Sequence, residues 1–591
     1  CMVLVQEAGL RPALLLQRLH ITGDIFSCQD YFRWYQPSVL MYRMNNILKL
    51  TAAAAFSSML LNSCIKEATP TSVAIQKQVT LETSIEGIPA ALVQAGSTGY
   101  DLPWDFGLPA IHIATESMTG DLVVSGNTGY DWFSQWGSNI ALGSEYAVGA
   151  LTWNNYYKWI MAANNVIKLI DTSDFSTLDD TQKKYLGFAY AYRAMFYFDL
   201  VRLYEFKKNN YTQDDSVLGL GVPVVLPETT EAQAKNNPRA KVSDIYDKII
   251  FPDLDNAETL LANYKASDKY TISLAVVYGM KARAYLERGT AFEDASDNAN
   301  ATKAYTSAAE FAHKAITASG CTPLTQSQWE DPVNGFNNAS SNNSWMWGLA
   351  LPSESVANLM CFTAHMSSEN AWSAYGYDTG RAINKNLFNS ISNYDFRKHS
   401  WLAPDREYAY QSCREDGKSF FKDELKDYTN IKFRPAQGNY KEYKVGGAAD
   451  HCMMRVEEMY FIEAEARGHL DLAEGRKLLN TFMNSYRMTD DVEYNCTPKA
   501  SSMKGFINEL ILQKRVEFWG EGIIMFDMKR LDISSKRGYV GTNAPASYRL
   551  NCEGRAPYWN FVISRGETQN NPAVASQNNP DPSNKVELWK G

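Results

Sequence analysis

Three pairs of helix-length segments with helical period constrain this chain more than any other feature. In YLGFAYAYRAMFYFDLVRLYEF (185–206), Ala189, Tyr192, Phe196, Leu200 and Leu203 recur at steps of three and four, tracing one apolar helix face. WNNYYKWIMAANNVIKLI (153–170) precedes it and supplies an antiparallel partner. The same logic pairs ISLAVVYGMKARAYLERG (272–289) with ATKAYTSAAEFAHKAITASG (301–320), and MMRVEEMYFIEAEARG (453–468) with LAEGRKLLNTFMNSYR (472–487). The chain therefore reads as mainly α. Its helical core is expected over about 153–320 and 453–532.

Ala308, Ala312 and Ala315 put small residues on one stripe, so two helices can approach closely, as in tetratricopeptide-type hairpins. The hairpins are degenerate and interrupted, which argues against a plain solenoid. Between 321 and 450 the periodicity breaks into long loops rich in Asn, Ser, Gly and aromatics; loops of that length in a helical body are commonly functional.

The N-terminal region has a different character. MNNILKLTAAAAFSSMLLNSC (44–64) has a polar start with Lys49, an apolar run from about Leu50 to Leu61, and the small residue Ser63 before Cys64. That order is a secretory signal peptide, with a run too short to span a bilayer, which needs roughly 20 residues. A cysteine directly after the small residue is the bacterial lipoprotein arrangement, although Asn62 departs from the small residue usual there. Residues 44–63 are thus expected to be a lipoprotein signal and Cys64 the lipidated first residue. Residues 1–43 are expected to be upstream translated sequence, and the Thr-, Ser- and Gln-rich stretch 64–100 a tether.

Net charge is −9 with no basic run, so nucleic acid is an unsuited partner. The cysteines beyond Cys64 (Cys321, Cys361, Cys413, Cys452, Cys496 and Cys552) form no C-x-x-C, so neither a zinc site nor a redox motif is indicated, and their pairing stays open. Asp416-Gly417-Lys418-Ser419 ends like a phosphate loop, but Ser412 stands where its first glycine belongs. H-E-x-x-H and G-x-S-x-G do not occur, and the histidines are scattered singly. No catalytic residues, cofactor or metal are expected. In QKRVEFWGEGIIMFDMKRLD (513–532), Glu517 and Glu521 share a helix face, but Arg515, Asp527 and Arg530 alternate with large apolar residues. Internal ion pairs are the expected use of these charges.

The aromatic clusters are the candidate binding chemistry. GNTGYDWFSQWG (126–137) carries Tyr130, Trp132 and Trp136 beside Asn127 and Asp131; NAWSAYGYD (370–378) carries Trp372, Tyr375 and Tyr377 with Asp378. Aromatic faces beside amides and carboxylates suit sugars, whose C–H faces stack while their hydroxyls hydrogen-bond; they also suit peptides. Trp345 and Trp347 alternate like a half-buried strand.

Several segments, in order, resemble the SusD/RagB family of Bacteroidetes outer-membrane lipoproteins. Tyr192-Arg193-Ala194 with Leu200 and Tyr204, then Gly221-Val222-Pro223-Val224, resemble the family's R-A helix and G-x-P turn. VSDIYDKIIFPDLDNAETLL (242–261) is similar to its helix ending in D-L-x-x-A. MKARAYLERG, RVEEMYFIEAEARG, EFWGEGIIMFDMKR, ETQNNP (567–572) and QNNP (577–580) complete the series across roughly 150–591. Ile524 stands where the family often has Arg, Gln513 where it often has Glu, and Lys66-Glu67 resembles its short charged export signal.

The resemblance implies a single SusD-like domain over 101–591 with tetratricopeptide-like hairpins, irregular loops and a few short strands. It implies a lipid anchor at the outer face of the outer membrane, and a lid on a SusC-like TonB-dependent transporter that captures a glycan without cleaving it. The family's ligand loops correspond to 121–137 and 322–450. Trp132, Tyr130 and Trp136 are then the expected stacking platforms, Asn127 and Asp131 their hydrogen-bonding partners, with Trp372 and Tyr375 facing them. Alternatives are an oligopeptide-binding RagB-like lipoprotein, an all-α glycoside hydrolase and a tetratricopeptide scaffold.

Overall fold

The computed structural model describes residues 73–97, 102–124, 133–137, 140–490 and 492–591. The upstream segment 1–43, the signal 44–63 and Cys64 lie outside the described residues. Residues Ala74–Gly591 form one compact unit. Helix α1 (Val73–Leu92) occupies the described part of the stretch expected to be a tether, and corrects that expectation there. Its Leu81, Ile85, Ile88 and Leu92, spaced four, three and four apart, are buried. The Ala91 carbonyl accepts from the Trp159 indole at 3.3 Å.

Helix α2 (Leu108–Thr119) and strand β1 (Leu122–Val124) precede the helical core. The first pair is α3 (Ala147–Lys168) with α4 (Asp180–Tyr204). A capping box between Asp179 and Gln182 starts α4, and from Tyr185 to Tyr204 nearly every residue is buried. The expected single apolar face is therefore a helix enclosed all round. Its one deep cation, Arg193, pairs both carboxylate oxygens of Asp253 at 2.8 Å and the Asn164 side chain at 3.0 Å, joining α3 to α5 (Phe251–Leu260).

Helix α6 (Leu274–Asp294) packs on α7 (Asn298–Ser319) through fully buried Ala308, Ala312 and Ala315. A side chain at Gly289 would strike the Tyr305 ring, which stacks on His469 with centroids 4.0 Å apart. Strands β2 (Trp345–Leu349) and β3 (Arg381–Ile383) follow, and β4 (His451–Arg455) leads into α8 (Val456–Leu470) and α9 (Leu472–Tyr486). Antiparallel β2 and β4 hold Trp345 and Trp347 fully buried, a strand covered on both faces and not half-exposed.

The segment 513–532 forms α10 (Met503–Glu517), a turn, and α11 (Ile524–Arg530). Its charges pair internally. Glu517 accepts from Arg455 at 2.7 Å, from Arg397 at 2.9 Å, and from Arg487 at 2.7 and 2.8 Å. Glu521 accepts from Lys432 at 2.7 Å and from Arg455 on both oxygens at 2.9 Å. Arg397 also pairs Asp395, and Glu457 lies 3.2 Å from Arg455 and from Arg487, so four cations meet four carboxylates. The neutral Gln513 side chain also accepts from Arg397.

The turn at Gly520 and Gly522 has φ of +79° and +78°, and a side chain at Gly522 would overlap His112 of α2. The Gly522 amide donates to Glu116, and its carbonyl accepts from Thr115. Burial and the nearby Asp121 raise Glu116 to about 8. His112 and His451 share a 2.8 Å hydrogen bond, and burial, with Arg283 and Arg202 nearby, lowers His112 to about 3.

Burial alone would raise the Glu517 pKa, but Arg487, Arg455 and Arg397 hold it well below the usual carboxylate value. Glu517→Gln leaves those arginines buried with an uncompensated charge and is expected to cost about 3–5 kcal/mol in urea unfolding at pH 7. A depressed folded pKa contributes stability above the unfolded value that is lost as pH falls. The gap between wild type and variant should therefore narrow below about pH 4.5. An equal loss at all pH values would show that the carboxylate's charge is not what holds the cluster.

Candidate functional site

A short sheet brings residues 122–124 beside residues 381–383. Strands β1 and β3 are antiparallel, with Leu122 opposite Ile383, Val123 opposite Ala382 and Val124 opposite Arg381. The chain therefore leaves β1 at the end where it enters β3, so the segment after Val124 starts where the 370–380 loop finishes. Asn127, Tyr130, Asp131 and Trp132 lie outside the described residues. The chain is described again at Phe133, whose ring meets His365 edge-on with centroids 4.9 Å apart.

His365 is the centre of an aromatic cluster. Its ring stacks on Phe106 at 5.3 Å and on Tyr375 at 4.6 Å, and its Nε2 is 3.0 Å from the carbonyls of Pro103 and Leu359. Trp136 packs against Phe133 at 5.2 Å and Trp104 at 6.3 Å. Trp136 is 1% exposed and Tyr375 6%, so protein covers both rings. This corrects the expectation of Trp136 as a stacking platform and of Tyr375 as a ring facing it across a cleft: both rings are packed into one aromatic core. Trp372 is half-buried against the turn at Gly446, where a side chain would come within 2.5 Å of its ring.

The ring that does face outward is Tyr377, two residues beyond Tyr375 and 39% exposed. It lines an open cavity of about 540 Å³ together with Asp378, Arg414, Asp416, Phe420 and Glu424. Arg414 is bound to both oxygens of Asp416 at 2.8 Å, and its guanidinium lies 3.7 Å from the Phe420 ring centre and 4.8 Å from that of Tyr440. That fork holds Asp416 below its ordinary pKa. Behind these residues, buried Glu369 pairs with Arg434 and accepts from the Ser412 hydroxyl and, at 3.1 Å, the Cys413 amide. It thereby ties the 412–416 loop to the start of the 370–378 loop.

The arrangement offers an aromatic face beside carboxylate acceptors on a braced rim, which is chemistry for a polyhydroxylated ligand. Sequence reading placed Tyr377 and Asp378 in the right stretch but did not select them as contacts. Phe420, Glu424 and the Arg414–Asp416 pair were missed. The one signal there was Asp416-Gly417-Lys418-Ser419, which instead forms a helical turn with Gly417 tight against Ser412. Among the described residues no group of His, Cys, Asp or Glu is placed to hold a metal. Cys321, Cys361, Cys413, Cys452, Cys496 and Cys552 are all free thiols.

If Trp136 and Tyr375 are anchors, Trp136→Ala should lower stability by about 3–5 kcal/mol in chemical denaturation, as for other buried large-to-small changes. Tyr375→Ala should also be strongly destabilising. Near-native stability for either variant would mean that its ring is not core.

Residues 108–286 match the family model SusD-like_3, described as starch-binding associating with the outer membrane. No curated protein matches the chain. Among solved structures, a SusD-like carbohydrate binding protein from Bacteroides vulgatus is 21% identical with a TM-score of 0.64, covering 84% of this chain and 97% of its own. A SusD superfamily protein from Bacteroides thetaiotaomicron is 18% identical, TM-score 0.61, covering 85% and 99%. Surface glycan-binding protein A from Bacteroides uniformis is 18% identical, TM-score 0.55, covering 84% and 99%. At these identities the likeness is one of fold. The family signature runs across α2 to α6 and the fold likeness across nearly the whole length of these relatives, so the chain has the SusD-like fold.

Proposed function

We propose that this protein is a cell-surface lipoprotein that captures an oligosaccharide or polysaccharide and delivers it, as a lid, to a SusC-like TonB-dependent transporter, without cleaving it. The observation that carries the reading is the Tyr377 cavity, with an exposed ring and carboxylate rim. The fold relatives described as carbohydrate or glycan binding support it. Tyr130 and Trp132 belong to the segment that starts at the same sheet end, and with Asn127 and Asp131 they are proposed to complete the surface opposite Trp372 and Tyr377. Cys64 is the proposed lipidation site. No helix among the described residues is long and apolar enough to cross a membrane, so outer-membrane attachment is assigned to that lipid.

The test is retardation of the full chain, purified in detergent, in native gels containing different polysaccharides, with released sugar assayed alongside. One glycan should retard the protein and no sugar should appear; released sugar would make it an enzyme. Tyr377→Ala should weaken binding by about 1–3 kcal/mol, the range for stacking on an aromatic side chain, with unchanged thermal stability. Cys64→Ser should abolish palmitate labelling in cells and release the protein from the membrane fraction. Retained labelling would place the anchor elsewhere.

A further inference from the structure

The charges lining the cavity narrow the class of glycan it can take, given that a glycan is its ligand. Three carboxylates line it (Asp378, Asp416 and Glu424), against two cations, Arg414 and Lys426. Neither cation is uncommitted. Arg414 gives its fork to Asp416 and its faces to Phe420 and Tyr440, and Lys426 has a partner within the protein. Nearby Lys441 pairs with Glu415 at 3.1 Å, and Lys418 and Lys422, on the turn that carries Phe420, do not line the cavity. Asp378 and Glu424 are the reverse case. Both are exposed, and neither side-chain carboxylate is in a hydrogen bond or ion pair among the described residues.

An ionised carboxylate only accepts hydrogen bonds, and those it accepts from hydroxyls are roughly twice as strong as neutral ones. A sugar ring stacked on Tyr377 can offer hydroxyl donors to both. A uronate or sulfate group brings no donor, meets like charge, and finds no uncommitted cation among the described residues that line the cavity. We propose that the Tyr377 cavity selects neutral, hydroxyl-rich glycan chains and rejects uronate-containing and sulfated ones. Selectivity then lies in what repels the wrong ligand as much as in what holds the right one.

The experiment compares retardation of the full chain by neutral polysaccharides (amylopectin, yeast mannan, barley β-glucan, potato galactan) with that by polygalacturonate and chondroitin sulfate at equal mass. The expected result is retardation by at least one neutral polymer, at least tenfold stronger than by either anionic one, and lost in Tyr377→Ala. The double variant Asp378→Asn, Glu424→Gln should narrow that preference at least tenfold; an unchanged preference overturns the assignment to these two carboxylates. Retardation by an anionic polymer alone, lost in Tyr377→Ala, overturns the neutral class while leaving the glycan reading standing. Binding of no polysaccharide in a wide panel overturns the glycan reading itself, and this inference with it.

Discussion

The structure depends on one carboxylate. Glu517 sits at the end of α10 with Arg397, Arg455 and Arg487 around it, each contributed by a different part of the chain. Removing these charges from water is costly, and only dense mutual pairing offsets it, so a partly assembled cluster is worse than none. The cluster therefore acts as an all-or-none joint. It fixes the helical hairpins (through β4 and the end of α9) to the irregular loops (through Arg397 and Lys432). From Lys432 the connection continues two residues on to Arg434, from there to Glu369, and so to the loop bearing Tyr377. The rim of the Tyr377 cavity is mounted on the ion cluster.

The same loops are held from the other side by aromatic packing. His365 gathers Phe106, Phe133 and Tyr375 around one imidazole, with Trp136 behind Phe133. The chain's surplus of aromatic residues thus has two uses. Most of those rings are structural, substituting ring contacts for regular secondary structure where the backbone is irregular. A smaller number remain at the surface, and a rim held rigidly from behind loses little conformational freedom when it takes a ligand.

Much of the helical architecture was legible because it rests on local pattern. The hairpins, the alanine stripe of α7 and the internal pairing of 513–532 follow from spacing and composition alone. Helix α1 was also written in its apolar positions, but its Thr- and Gln-rich surroundings made the segment look like a tether. The candidate site was legible only as a neighbourhood. Tyr375 and Tyr377 share the same loop and the same local composition, yet one stacks on His365 and the other faces solvent, because the partner that decides between them comes from elsewhere in the chain. Arg414 and Asp416 gain their meaning from Glu369 and Tyr440 in the same way.

The docking of α2 has a consequence for how the protein is made. Asp121, just beyond that helix, is buried and held by Arg515, 394 residues further along, and its carbonyl accepts from the Trp519 indole at a separation of 398. Thr115 and Glu116 reach Gly522 across 407 and 406 residues. Polar groups buried this way have no stable home until their partners exist, so the N-terminal helices cannot settle while the chain is still emerging. Contacts this distant are also slow to form. The clasp between α2 and the 515–522 segment thus also sets an order of assembly, with α2 docking only once that distant segment is in place.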